Sequence, residues 1–250
     1  IKQRMEIIKP YTRWIRSFSC IEGNQETPRI AHELGLKTMV GIGLGEDKAI
    51  NETELANGVK VAQAGHADIL AVGNEVLLRG DLNEDEMLEY IQRVKQQVPG
   101  VPVGYVDAYF LFENHPRVTE ACDVILINCY PFWESCPAEH ALVYMKQMYR
   151  RAVNVAHGKK VIISETGWPN IGTPEGAAVP SLVIVAVGLL PVILICRSGK
   201  RSAEAGRVLI EAGLKNVYHV DEGFEGELDD NHQRGNTGGW RHHGLPWEQC

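Results

Sequence analysis

Two apolar runs of this chain each lead into a glutamate: Leu-Ala-Val-Gly-Asn-Glu at residues 70–75 and Val-Ile-Ile-Ser-Glu-Thr-Gly-Trp-Pro at residues 161–169. The second run, like Val-Ile-Leu-Ile at residues 124–127, is apolar at consecutive positions rather than at alternate ones. Such runs are typical of parallel strands that are covered on both faces. We therefore expect a parallel sheet in which two strands end in Glu75 and Glu165.

Eight short runs of this kind alternate along the chain with amphipathic helical patterns. The predicted strands are residues 12–18, 37–42, 69–74, 102–107, 124–129, 160–165, 192–195 and 217–220. The alternation predicts an α/β fold, and the number of repeats predicts a (β/α)8 barrel of the TIM type. A doubly wound sheet is the alternative.

The predicted helices begin at recognisable sequence signals. Thr27 can cap a helix that has Pro28 at its first position. The pairs Asn51–Glu54 and Asn83–Glu86 resemble capping boxes. The helix after Asn83 has one apolar face at helical spacing, formed by Met87, Ile91, Val94 and Val98.

The composition bounds the possible partners. The chain has 250 residues, of which 44% are hydrophobic, so it can bury a sizeable core. Its net charge of −7 argues against nucleic acid or an anionic membrane as a partner, because both bind basic surfaces.

The longest apolar run, residues 182–196, contains Pro191 and is shorter than the roughly 18 residues of a membrane span. We predict a buried helix followed by a buried strand there.

No cofactor or metal site is expected. The six cysteines form no C-x-x-C pair, and the C-terminal histidines lack metal-ligand spacing. These histidines are His219, His232, His242 and His243. Gly41, Gly43 and Gly45 follow a strand, but Glu46 stands where a dinucleotide fingerprint needs a glycine. Reduced thiols, and no signal peptide in the chain as given, favour a cytoplasmic protein.

Glu75 and Glu165 are the candidate catalytic residues. By strand count they lie three βα units apart, so in a barrel they face each other across the carboxyl-terminal mouth. Glycoside hydrolysis needs such a pair: one carboxyl protonates the leaving oxygen while the other attacks the anomeric carbon or activates water. Asn74 could bind a sugar hydroxyl. Aromatic residues near strand ends could stack on sugar rings, namely Tyr130, Trp133 and Trp168. A single glutamate at a strand end would be explained more simply as a carboxylate stabilised by the dipole of the following helix. Two glutamates in such positions favour catalysis.

The motifs Gly-Asn-Glu at 73–75, Ile-Asn-Cys-Tyr-Pro-Phe at 127–132 and Ser-Glu-Thr-Gly-Trp-Pro at 164–169 resemble those of family 17 glycoside hydrolases, over about residues 1–181. The resemblance implies retaining hydrolysis of, or glucosyl transfer on, β-1,3-glucan oligosaccharides or polysaccharides. It also implies that Glu75 is the acid/base, that Glu165 is the nucleophile, and that Asn74 and Tyr130 line the −1 subsite. The matched part corresponds to strands two to seven of the family barrel; the first strand, the seventh helix, the eighth strand and the eighth helix are lacking.

A second motif follows the strand predicted at 192–195. Cys196 opens a loop that runs into a helix N-terminus, where backbone N–H groups favour a thiolate or a bound anion. The other residues of this anion loop are Arg197, Ser198, Gly199, Lys200, Arg201 and Ser202. A phosphatase would need arginine at 202. The loop instead resembles the active loop of a rhodanese, and residues from about 191 to 250 resemble the C-terminal half of such a sulfurtransferase, which implies a persulfide on Cys196.

The two resemblances suggest two segments, a hydrolase barrel over residues 1–181 and a rhodanese-like segment over residues 182–250. Neither has its family's full set of strands. We expect the βαβ unit of the second segment to close the barrel, with 192–195 as the eighth strand and 217–220 in the first-strand position. Three functions then remain open: glucan hydrolysis or transfer, sulfur transfer through Cys196, and a catalytically inactive chimera that keeps both motifs.

Overall fold

The structure is a computed structural model that describes residues 1–169, 171–180, 192–194, 196, 198–211, 217–240 and 242–244. It divides into two compact units, one formed by Ile1–Tyr130 with Val143–Thr166 and the other by Pro131–Leu142 with Gly167–Cys250. The helix predicted after residue 182 and the expected boundary near 181 lie outside the described residues. Across the described ranges, no helix has the length and apolar character to cross a membrane.

The first unit contains a six-stranded parallel sheet in which the strands follow chain order. The strands are β1 Trp14–Arg16, β2 Lys37–Ile42, β3 Ile69–Asn74, β4 Val103–Ala108, β5 Val124–Asn128 and β6 Lys160–Glu165. Each predicted strand of this part of the chain is present: β2, β3 and β6 have the predicted bounds, and one or both ends of each of the other three differ by one or two residues.

One helix precedes β1, and the others lie between the strands in the alternation that the sequence predicts. They are α1 Lys2–Ile8, α2 Thr27–Glu33, α3 Lys48–Gln63, α4 Val76–Arg79, α5 Glu84–Gln97, α6 Leu111–Asn114, α7 Pro116–Ala121 and α8 Ala141–Val155. The predicted face of α5 is confirmed, since Met87, Ile91 and Val94 are fully buried and Val98 nearly so.

The sheet curls enough for a side chain of its first strand to reach its last strand. Arg16 on β1 donates hydrogen bonds to the Ser164 carbonyl and the Glu165 carboxylate on β6. A cavity of about 420 Å³ lies between these edges, and its walls include Trp14 and Ile162. Apolar side chains from neighbouring strands pack together on the sheet: Met39, Ile69, Ala71, Val106, Val124 and Leu126. The first unit is therefore a half-barrel with the carboxyl ends of its strands at one rim.

The capping predictions are partly confirmed. Asn83 and Glu86 form a complete capping box at the start of α5. The box predicted at Asn51–Glu54 is wrong, because α3 already begins at Lys48 and is capped by Asp47. Thr27 is the first residue of α2 rather than its cap.

The side chains of Asn51 and Glu54 are buried and bind loops instead of capping a helix. Asn51 exchanges two hydrogen bonds with the backbone of Gly45. Glu54 accepts hydrogen bonds from the backbone of Cys20 and Gly43. The Gly41–Gly45 loop therefore lies against a carboxylate of its own chain.

The second unit contains the predicted βαβ element, formed by β7 Val192–Leu194, α9 Lys200–Glu211 and β8 Val217–His219. β7 pairs in parallel with β8, and the two form a sheet of their own. The expectation that they occupy the eighth-strand and first-strand positions of the barrel is therefore not confirmed. A βαβ crossover brings its own two strands side by side. Here β7 and β8 pair with each other and belong to a sheet separate from the six-stranded one.

Candidate active site

Five polar side chains lie at the carboxyl ends of strands of the six-stranded sheet. Arg16 ends β1, Asn74 ends β3, Asn128 ends β5 and Glu165 ends β6, while Glu75 directly follows β3. In parallel βα folds this rim carries the chemistry. The predicted carboxylates therefore share one rim with three further groups.

Arg16 holds Glu165 from the opposite edge of the sheet. Its Nη1 donates to Glu165 Oε1 at 2.6 Å, and its Nη2 donates to Asn74 Oδ1 at 2.7 Å. Both partners of the ion pair are largely buried, with side-chain exposures of 13% and 20%. A planar guanidinium that bridges two acceptors fixes the direction of both. The carboxylate of Glu165 and the amide of Asn74 are thus oriented by one side chain.

Tyr130 holds the other oxygen of Glu165. Its hydroxyl donates to Glu165 Oε2 at 2.8 Å. Burial, together with the neighbouring Glu165, raises the pKa of the Tyr130 hydroxyl well above its usual value. The hydroxyl therefore remains a donor across the ordinary pH range, and both oxygens of Glu165 have a fixed partner.

Asn128 connects the two catalytic candidates. Its Nδ2 donates to Glu75 Oε1 at 2.8 Å. Its Oδ1 accepts a hydrogen bond from Ser164 Oγ at 2.9 Å, and Ser164 immediately precedes Glu165. Ser164 Oγ also lies 3.0 Å from the Ile127 carbonyl, so its single proton is shared between that carbonyl and the Asn128 amide. A continuous chain of side chains therefore runs from Glu75 to the end of β6.

Glu75 lies in an unusual backbone conformation. Its φ of 54° and ψ of 29° place it in the left-handed region, which costs a residue with a side chain roughly 1–3 kcal/mol. Gly73 has a φ of 78°, and a Cβ at that position would lie 2.9 Å from the side chain of Val76. The Gly-Asn-Glu motif is thus a tight exit from β3, and its glycine is required by space as well as by torsion.

The predicted aromatic residues are divided between the two units. Tyr130 lies in the first unit, on Glu165. Trp133 and Trp168 lie in the second unit, where each packs edge-on against Phe132, with ring centroids 5.1 and 5.2 Å away. Trp168 also donates to the Val179 carbonyl at 3.0 Å. A role of the two tryptophans in sugar binding stays a prediction.

The thiol of Cys196 lies in the second unit, just after β7. The Ser202 N–H donates to its Sγ at 3.3 Å. Burial alone would raise the pKa of this thiol, but hydrogen bonds with the Ser202 side chain and with the N–H groups of Ser202, Ser198 and Arg201 lower it to about 7. These contacts favour the thiolate form of Cys196.

Two other members of the anion loop contact neighbouring segments of the second unit. Lys200 pairs with Glu227 at 3.0 Å, so its charge is shared with a carboxylate. Gly199 has a φ of 83°, and a Cβ there would meet the Asp221 carbonyl. Arg197 lies outside the described residues. In the ranges that the structure covers there is no group of three or more metal-binding side chains.

Sequence reasoning did not identify three of these polar groups, namely Arg16, Asn128 and Ser164. Each is a polar residue at the end of an otherwise apolar strand. Asn128 lies within the Ile-Asn-Cys-Tyr-Pro-Phe motif, and Ser164 opens the Ser-Glu-Thr-Gly-Trp-Pro motif. All three lie within two residues of the end of a predicted strand, so a search of these positions for polar residues, rather than for carboxylates alone, would have included them.

Comparison with known families supports the hydrolase resemblance and not the rhodanese one. The sequence profile of the BtgE/BtgC glycoside hydrolase domain matches residues 1–197. This match extends beyond the boundary expected at residue 181 and includes Cys196. The assignment of residues 182–250 to a separate rhodanese-like segment stays a prediction.

Curated relatives are fungal proteins. The chain is 35% identical over 161 residues to the probable glucan endo-1,3-beta-glucosidase eglC of Aspergillus niger, covering 60% of this chain and 31% of that protein. Identity to the eglC protein of Aspergillus fumigatus is 29%, covering 67% and 44%. Identity to the glucan 1,3-beta-glucosidase BGL2 of Candida albicans is 25%, covering 71% and 65%. The chain thus spans less than two thirds of the length of each of these relatives.

Among solved structures, a glycoside hydrolase family 17 beta-1,3-glucanosyltransferase from Rhizomucor miehei superposes with a TM-score of 0.68. It is 24% identical and covers 93% of this chain and 88% of that chain. At this level of identity the likeness establishes the fold. The prediction of a TIM-type α/β architecture is therefore confirmed.

Proposed function

Because this chain belongs to the family of BtgE/BtgC glycoside hydrolase domains, we propose that it cleaves β-1,3-glucan with retention of configuration and passes the glucosyl unit to water or to a second sugar. The observation that carries the proposal is the network at the strand ends, which orients Glu75 through Asn128 and Glu165 through Arg16 and Tyr130. The names of the curated relatives, which are glucan 1,3-beta-glucosidases, support the substrate class.

In the first step Glu165 attacks the anomeric carbon of the bound glucan. A bond forms between the carboxylate oxygen and this carbon while the glycosidic carbon–oxygen bond breaks. The carboxyl of Glu75 gives its proton to the departing oxygen. Arg16 and Tyr130 keep the carboxylate of Glu165 aligned for attack. Asn74, whose Oδ1 is held by Arg16, directs its amide nitrogen to a sugar hydroxyl.

In the second step the ester on Glu165 is resolved. The carboxylate of Glu75 removes a proton from water, or from a hydroxyl of another glucan chain, as that oxygen attacks the anomeric carbon. The bond to Glu165 breaks, and both carboxyl groups return to their starting protonation states. Water yields hydrolysis and a sugar hydroxyl yields transfer.

Substitution of the two carboxylates tests the proposal. Glu75→Gln and Glu165→Gln keep the side-chain shape, and each should lower laminarin cleavage by at least about 100-fold. Glu52→Gln is a matched control, because Glu52 forms a surface ion pair with Arg93 on the helical layer, and it should keep wild-type activity. A double variant at Glu75 and Glu165 with undiminished activity would contradict the proposal.

The stereochemical claim has a separate test. A 2-deoxy-2-fluoro glucosyl donor should leave a covalent adduct on the peptide that contains Glu165, visible by mass spectrometry, and this adduct should be missing in Glu165→Gln. An adduct on another residue, or a first product of inverted configuration, would contradict a retaining mechanism that uses Glu165.

A second candidate function is sulfur transfer, and the observation that favours it is the lowered pKa of Cys196. Its thiolate would take the outer sulfur of thiosulfate, releasing sulfite and leaving a persulfide. Cyanide would then accept that sulfur, giving thiocyanate and restoring the thiolate.

Cys196→Ser should abolish thiocyanate formation. Cys136→Ser is the control, because burial raises the pKa of that thiol in the same unit. Equal thiocyanate formation in both variants would rule out this role for Cys196. Failure of the glucan and thiosulfate assays in a folded sample would favour the inactive chimera.

A further inference from the structure

Helix α4 begins without a cap of its own. It follows Glu75, whose side chain makes no capping hydrogen bond and instead points to Asn128. The helix has four residues, Val76–Arg79, so nearly all of its backbone N–H groups lack a partner inside the helix. The conformation of Glu75 therefore depends on hydrogen-bond acceptors that the neighbouring strand β4 presents to these N–H groups.

Strand β4 offers two acceptors. Tyr105 and Asp107 are two residues apart, so they lie on the same face of the strand. The hydroxyl of Tyr105 accepts a hydrogen bond from the Leu77 N–H at 2.8 Å and donates one to Asp107 Oδ2. Asp107 Oδ2 also accepts from the Leu78 N–H at 3.3 Å. The first turn of α4 is thus capped by side chains of another strand.

This arrangement has an energetic cost. Tyr105 and Asp107 are 1% and 0% exposed, so neither is open to solvent at the rim. Burial raises the pKa of Asp107 to about 6, although hydrogen bonds from Tyr105 and from backbone N–H groups lower it, and the charge of Glu75 raises it further. A buried carboxylate costs stability. An apolar pair of the same size would pack in its place without that cost, so the two polar groups need another explanation.

We propose that Tyr105 and Asp107 are positioning residues, which cap α4 from strand β4 and thereby hold Glu75 in its left-handed conformation with its carboxylate on Asn128. The inference rests on the proposed role of Glu75 as the acid/base. Left-handed backbone at a residue other than glycine persists only when the surroundings enforce it, and the two hydrogen bonds to Leu77 and Leu78 supply that enforcement immediately after Glu75.

The primary test is Tyr105→Phe, which removes the hydroxyl and keeps the ring that packs beside Phe112. We expect kcat on laminarin to fall about 10–100-fold, because a displacement of about 1 Å has an effect of this size. KM should remain within about two-fold, because the hydroxyl does not touch substrate. Amide hydrogen exchange of residues 76–79 should become about five-fold faster, which corresponds to the loss of one hydrogen bond.

Two substitutions at Asp107 distinguish a positioning role from a purely structural contribution to the core. Asp107→Leu removes both acceptor oxygens, whereas Asp107→Asn keeps one. The asparagine variant should therefore retain clearly more kcat than the leucine variant. Thr38→Val is the matched control, because it deletes another buried hydroxyl at the opposite end of the strands, where it binds the His66 carbonyl. It should lower stability without changing kcat or the exchange of residues 76–79.

The outcomes separate this inference from the proposed function. If Tyr105→Phe leaves the exchange of residues 76–79 unchanged, the cap does not exist in solution and the inference is overturned. Faster exchange with unchanged kcat, in an enzyme that Glu75→Gln inactivates, overturns the positioning role. If wild-type protein does not cleave laminarin, the proposed function fails, and the exchange measurement still decides whether the cap exists.

Discussion

Arg16 and Glu165 stand on the first and last strands of the six-stranded sheet, and Nη1 of Arg16 lies 2.6 Å from Oε1 of Glu165. In a flat sheet these strands would lie about 24 Å apart, at roughly 4.8 Å for each step between neighbours. The ion pair therefore exists only because the sheet curls. It links the closure of the half-barrel to the orientation of the proposed nucleophile.

Replacement of Arg16 by lysine keeps the charge but not the two-pronged geometry. A lysine ammonium cannot hold Glu165 and Asn74 in the same fixed directions. We expect Arg16→Lys to lower kcat/KM on laminarin about 10–100-fold in a protein that remains folded. Arg93→Lys, in a surface pair with Glu52, is the control and should be unaffected. Wild-type kinetics in Arg16→Lys would show that the guanidinium of Arg16 does not position Glu165.

Ser164 should affect catalysis through its hydrogen bond to Asn128. Its hydroxyl orients the Asn128 amide, which in turn holds Glu75. We expect Ser164→Ala to lower kcat about five-fold, as one hydrogen bond is lost, and Asn128→Ala to lower it more. The double variant should be no slower than Asn128→Ala alone, because the serine has nothing left to orient. Additive losses in this double-mutant cycle would contradict the connection.

Asp107 should make stability depend on pH. Burial raises its pKa in the folded protein to about 6, against an ordinary value of 3.8. Its contribution to stability is therefore greatest below about pH 4 and is lost as the pH rises through about 6. The difference between the two pKa values corresponds to at most about 3 kcal/mol of unfolding free energy.

The uncharged variant Asp107→Asn does not titrate at this position. Its free energy of unfolding should rise relative to that of the wild type between pH 4 and pH 7.5, as measured by urea denaturation. A difference that is constant across this range, or one that moves the other way, would show that Asp107 is not titrating in the folded state as described.

Two of the three predicted helix starts, Thr27 and Asn83, should respond differently to alanine. Asn83 accepts a hydrogen bond from the Glu86 N–H within a complete capping box, so Asn83→Ala should cost about 1 kcal/mol of unfolding free energy. Thr27 is the first residue of α2 and not its cap, so Thr27→Ala should change stability by less than about 0.5 kcal/mol. Equal losses from both substitutions, measured by thermal or chemical unfolding, would contradict the assigned helix boundaries.

Much of the architecture could be read from local pattern. Continuous apolar runs such as Val124–Ile127 identify parallel strands, because only strands covered on both faces tolerate them. The face of α5 and its Asn83–Glu86 box followed from spacing alone. Asn51–Glu54 has the same spacing but lies one turn inside α3. There, burial gave both side chains loop partners that no local pattern specifies.

Local patterns in the sequence specify the order of strands and helices and the placement of Glu75 and Glu165 at strand ends, since these depend on residues close together in the chain. The set of groups that meet at the rim depends instead on the folded sheet. Arg16 reaches Glu165, and Asn128 reaches Glu75, across separations of 149 and 53 residues. The pairing of β7 with β8 in a sheet of their own depends on the fold in the same way. Such contacts depend on the curl of a sheet and on competition among strand edges, and these are properties of the whole folded chain.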